Sequence, residues 1–203
     1  GVMLAIVMAT RAGGDGGGKT PDQTPTATEV NPFVAGAPST VAGDIKITTP
    51  VVYCIEAGRS MGGFYGDALD MVEASTKTLG LRDRVSIVVA WDDNVRSFES
   101  GSVASMLAEA KALDPEGTSP MADAIDEALA MTPETIVILT RQGVALSAAE
   151  AIKAEGVDVV VIVLDGIASI DSEMQTFAKA AGGACCSYTS ADIEELQDQA
   201  DKP

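Results

Sequence analysis

The chain has 203 residues, of which 46% are hydrophobic and only 4% aromatic, so its core is expected to be aliphatic. Thirteen Lys and Arg face 30 Asp and Glu, a formal charge of -17, with no histidine anywhere. That balance argues against nucleic acid and anionic membrane surfaces as partners, since both need clustered cations, and it removes the usual general base and transition-metal ligand.

Residues 1–10, GVMLAIVMAT, are apolar but much shorter than the about 20 residues that span a bilayer. They read either as the remnant of a membrane anchor or as an assembly arm, with Val2, Met3, Leu4, Ile6 and Val7 as its apolar contacts. Residues 11–43, rich in Gly, Pro and Thr, read as a linker. Within it GGDGGGKT matches the phosphate-loop pattern letter for letter, but Thr20 is followed by Pro21. No helix N-terminus can form there to cradle a phosphate, so no nucleotide is expected.

From residue 44 to 203 the pattern is that of one α/β domain. Apolar strands are expected over 50–56, 85–91, 95–99, 135–140, 157–164 and 184–189. Helices are expected over 63–79, 103–112, 119–131, 146–155, 171–181 and 190–200. A run such as VDVVVIVL, apolar throughout, implies a strand covered by helices on both faces. AWDDNVRSF reads as a tight hairpin with Asp92 and Asp93 in a solvated turn. The architecture this implies is a three-layer sandwich, a mostly parallel sheet with one antiparallel edge strand. Cys54 reads as a buried small hydrophobe, and Cys185 and Cys186 as one inward and one outward thiol of a strand.

Taken in order, VVYCIEAGRSM, RVSIVVAWDDNVRSF, EGTSPMADAIDEAL, TIVILTRQG and EGVDVVVIVLD resemble the von Willebrand factor type A (vWA) domain family over about 150 residues. The resemblance implies a six-stranded sheet of order 3-2-1-4-5-6. It also implies a metal-ion-dependent adhesion site at the carboxyl end of the sheet, built from an Asp and two Ser of the first loop, a Thr, and a later Asp. Carried onto this chain, Glu56 matches the first Asp and Gly58 the first Ser, while Ser60 and Thr118 match the second Ser and the Thr. Arg141 stands where the later Asp would be. A guanidinium about 5 Å from a divalent ion repels it by roughly 6–7 kcal/mol at an effective dielectric near 20.

The expectation is therefore a degenerate site without Mg²⁺, in which Glu56 and Arg141 pair in place of the ion; a retained ion would have Glu56, Ser60 and Thr118, helped by Asp92 or Asp93 at the same end of the sheet. Function is expected to be non-enzymatic: a protein-binding or adhesion module of the cell envelope or exterior. The alternatives are a fibre or layer subunit joined to copies of itself by the N-terminal arm, and a metal-dependent adhesion domain.

Overall fold

The computed structural model describes residues 47–76, 83–189 and 191–192. The N-terminal arm, the linker and most of the expected helix 190–200 lie outside the described residues. Six strands form one sheet: β1 Val51–Glu56, β2 Val85–Trp91, β3 Asn94–Phe98, β4 Thr135–Thr140, β5 Asp158–Leu164 and β6 Ala184–Tyr188. Their order is β3-β2-β1-β4-β5-β6. All neighbours are parallel except β2 and β3. This is the mostly parallel α/β sandwich that the sequence implies.

The helices are α1 Tyr65–Thr76, α2 Val103–Lys111, α3 Met121–Ala130, α4 Leu146–Glu155 and α5 Ala168–Ala181. They cover both faces, and β1 shows why its sequence carries no polar alternation. Val51, Tyr53 and Ile55 point into the core that α1 and α2 close. Val52 and Cys54 point into the core closed by α3, α4 and α5. Side chains alternate between faces of a strand, so a strand buried on both sides must be apolar at every position. The apolar run ends at Glu56, which is 0% exposed. A buried acid at a strand end is the first sign of a site.

Element boundaries differ from the expectations by a few residues, with two of some interest. Helix α5 begins at Ala168 rather than 171, because Ile167 is already extended as its N-cap directly after Gly166. The hairpin starts one residue earlier, at Asn94, since Asp92 and Asp93 both take positive φ, 44° and 58°. Two consecutive left-handed residues make the tight turn whose twist matches that of the strands, and Asp tolerates the conformation better than most side chains. Among the described residues no helix is long and apolar enough to cross a membrane.

Two tyrosines tie the α1–α2 face together. Tyr53 hydroxyl lies 2.8 Å from Ser75 Oγ, and Tyr65 hydroxyl donates to the Ala110 carbonyl at 2.9 Å. Burial raises the Tyr53 hydroxyl to about 12, with the Ser75 contact opposing the shift.

None of the three cysteines forms a disulfide. Cys54 on β1 is separated from Cys185 and Cys186 on β6 by β4 and β5, and strands lie about 4.8 Å apart, too far for a disulfide. Burial, with the Asp171 charge second, pushes the half-buried Cys185 thiol up to about 12. At pH 8 about one Cys185 in 10⁴ would then be thiolate. Iodoacetamide at that pH is expected to label native protein far more slowly than denatured protein, at all three positions. Rapid stoichiometric labelling of Cys185, read by mass spectrometry, would contradict the burial described here.

Candidate functional site at the carboxyl end of the sheet

Strands β1, β4 and β5 run parallel, so their carboxyl ends and the loops beyond them meet on one edge. Order reverses between β1 and β4, and open sheets of this kind place their sites outside such a reversal. Glu56 ends β1 there. Its Oε1 accepts from Ser60 Oγ, and its Oε2 accepts from Thr140 Oγ1 at 2.8 Å and from the Arg141 backbone N–H at 2.7 Å. Three donors from two loops thus converge on a carboxylate with no exposure, which is how a buried acid avoids an unmade desolvation penalty.

The expected pairing of Glu56 with the Arg141 guanidinium is not what forms. Arg141 meets Glu56 through its backbone, and its side chain runs on to β5. Nε donates to Leu164 O at 2.9 Å, and a second nitrogen donates to Ser60 O at 2.7 Å. The third donates to Asp165 O at 3.1 Å and to Asp165 Oδ2 at 3.0 Å. The guanidinium also lies 4.3 Å from the centre of the Phe64 ring. The physical reason is saturation. Short donors close to Glu56 already occupy both its oxygens, whereas the end of β5 offers two carbonyls and a carboxylate to a planar group with five donors. Asp165 was not singled out in the sequence. Its signal is plain in retrospect: an acid directly after an apolar strand that neighbours β4.

Thr118 also turns away from Glu56. Its hydroxyl donates to Asp93 Oδ1, and its carbonyl accepts from the Asp93 backbone N–H at 3.1 Å. Asp93 is therefore the anchor of the loop between α2 and α3 rather than a turn residue facing water alone. Gly117 makes the approach feasible. It has φ 63°, and a Cβ there would stand 2.6 Å from Asp92 Oδ1 and 2.9 Å from Asp92 Cα.

Gly58 is crowded from the same side. A Cβ at this position would lie 2.5 Å from Ser119 Oγ, so the serine hydroxyl fills the space a side chain at 58 would need. That hydroxyl is buried without a hydrogen-bond partner among the described residues. Gln142 closes the group by donating from Nε2 to Ser119 O at 2.9 Å.

The structure thus brings Glu56, Ser60 and the Arg141 backbone together, holds Gly58 beside them without a hydroxyl, and diverts Thr118. Sequence reasoning missed Thr140, Ser119, Gln142 and Asp165, and it placed Asp93 at this edge without its bond to Thr118. A divalent ion does not fit this donor set. Three donors already use both oxygens of Glu56, and a permanent cation is anchored within the same loops. Ser60 and Thr118 donate their hydroxyl protons and keep their lone pairs, but one engaged carboxylate beside a guanidinium offers a divalent ion little of the negative charge it needs.

The geometry can be set beside proteins of known structure. The SpRpn10 VWA domain superposes with a TM-score of 0.59 at 16% identity, covering 73% of this chain and 93% of that one. The fold is of the von Willebrand factor type A kind. Human COPII-coat protein Sec24c shares it more distantly, with a TM-score of 0.52 at 14% identity, covering 76% of this chain but 32% of that chain. No family model matches the sequence, and no curated protein matches it. At such identities the vWA-type fold is what is shared. In this vWA-type fold the carboxyl edge of the sheet carries an arginine-centred network of hydrogen bonds.

Proposed function

We propose that this chain is a non-enzymatic protein-interaction module that works without a metal ion, displayed on the exterior of the cell or its envelope. The observation that carries the reading is the placement of Arg141. Its guanidinium reaches the loop after β1 through Ser60 and the end of β5 through Leu164 and Asp165. A bound cation at this edge would tie the same loops; here the tie is covalent to the chain. The vWA-type fold supports an interaction role, and the apolar N-terminus followed by the Thr- and Pro-rich linker supports display away from a surface. The uncharged run at Val2–Met8 also favours a second reading, a fibre or layer subunit in which that run packs on a neighbouring copy.

The test is thermal unfolding of the full chain in millimolar Mg²⁺, in Mn²⁺ and in chelator. A ligand that binds only the folded state at 100 times its dissociation constant adds about 2.7 kcal/mol. For a domain of this size that amounts to roughly 5–10 °C. The expected shift is zero, and a reproducible rise of several degrees with either ion would overturn the metal-free reading.

A further inference from the structure

Two large hydrophobic side chains are exposed among the described residues, and both lie at the carboxyl edge. Leu146, the first residue of α4, is 50% exposed, and Ile167, the N-cap of α5, is 69% exposed. Helices α4 and α5 pack side by side. The loop leading into α4 also packs on α5, because a Cβ at Gly143, three residues before Leu146, would lie 2.1 Å from Glu173 of α5. Ile167 follows Asp165 by two residues, so Arg141 fixes the loop that presents it. An apolar tip held this way loses little freedom when something covers it.

Acids outnumber cations in the leading turns of these two helices and in the loops before them. Glu150 is exposed in the second turn of α4, Asp171 lies in the first turn of α5, and Glu173 is exposed beyond it. The cation among them, Arg141, is engaged with Asp165. Lys153 and Lys179 sit in the last turns of α4 and α5, at the opposite end of the molecule. One acid in a first turn complements the helix dipole. Acids beyond the first turn, on the same two helices that begin with exposed aliphatic side chains, are not called for by that effect.

The geometry points to a docking surface at the leading ends of α4 and α5 for a basic protein segment that carries aliphatic side chains. Its apolar groups cover Leu146 and Ile167, and its Lys or Arg side chains face Glu150 and Glu173, while Asp171, which accepts from Ser187 Oγ at 2.9 Å, adds to the negative charge there. A second copy of this domain fits poorly, because like charges would oppose one another at a net charge of -17. The partner chemistry is opposite to that of a metal-mediated site, which attracts a carboxylate to its ion. The inference rests on the interaction-module reading and adds the surface and the partner class.

The experiment is a titration of the isotope-labelled full chain, in chelator, with an amphipathic Leu/Lys peptide and with a Leu/Glu peptide of the same length. The amide signals of residues 146, 150, 167, 171 and 173 are expected to shift with the Leu/Lys peptide and to stay fixed with the Leu/Glu peptide. The double variant Leu146→Ser, Ile167→Ser removes side chains that are at least half exposed, and it is expected to stay folded with a melting temperature within a few degrees of the parent and to weaken binding at least tenfold. Glu150→Gln with Glu173→Gln is expected to reduce the salt dependence of binding. Equal binding by the serine variant, or shifts scattered over the whole acidic surface, would overturn the assigned surface and leave a metal-free module standing. Peptide binding that appears only when Mg²⁺ replaces the chelator would overturn both.

Discussion

Glu56→Ala is expected to lower stability by about 3–4 kcal/mol, and to lower the melting temperature by about 10 °C. The substitution opens a hole at a position with no exposure and strips the acceptor from three donors. Those donors are not equally affected. Ser60 is exposed and can turn to water, and Thr140 Oγ1 keeps the Gln142 carbonyl at 3.1 Å. The Arg141 backbone N–H is left facing the space where Oε2 was, and orphaned buried donors are the costly ones. Glu56→Gln separates the contributions. Its amide oxygen can serve Thr140 and Arg141 while its NH₂ donates to Ser60, whose hydroxyl can reverse. The glutamine is therefore expected to cost about 1–2 kcal/mol. Denaturant melts of the parent and both variants decide the matter. An alanine variant as stable as the parent would remove Glu56 from the centre of the network.

The second large effect belongs to Arg141. Arg141→Asp deletes the bonds to Leu164, Ser60 and Asp165 and the contact with Phe64, and it sets a new acid between two others. Two like charges about 5 Å apart repel by roughly 3 kcal/mol at an effective dielectric near 20. Arg141 and Asp165 are each about a quarter to a third exposed, so solvent screens part of this. A loss of about 2–4 kcal/mol is expected at low salt, and less at high salt. Arg141→Lys should fall between the two, since it keeps the charge and gives up the planar fork that reaches several acceptors at once. If the lysine variant matches the parent, the charge alone matters and the four directed bonds do not. If the aspartate variant matches it, the guanidinium holds nothing.

The fold was legible because its information is redundant. Strand β5 is apolar over six residues, β1 over five, and each is bounded by turn residues, so a misjudged boundary shifts an end without changing the order. The site was legible only as far as chain position reaches. That Glu56 and Arg141 meet follows from β1 and β4 being neighbours, and they do meet. Which atoms of Arg141 take part does not follow, because a side chain with six rotatable or planar links can choose among acceptors on three loops. Short donors were harder still. Thr140 closes an apolar strand and looks like part of it, and Ser119 follows a threonine that drew attention to itself. Asp93 was dismissed for sitting in a turn, although the left-handed backbone of that turn is what aims its N–H at Thr118.

The hydroxyl of Ser119 lodged beneath Gly58 also bears on what neighbouring sequences are within reach. A chain one substitution away, with serine at 58, would have to displace Ser119, which the Gln142 amide holds by its carbonyl. A chain with aspartate at 141 would lose the tie between three loops before any ion could replace it. Asp165, left without its arginine, would then compete for whatever cation arrived. Each single step toward a metal centre is downhill in stability, and the benefit comes only when several are taken together. Drift that alters one of these positions at a time is expected to return to the arginine-centred arrangement, so the network should persist in sequences far less alike than the surface around it.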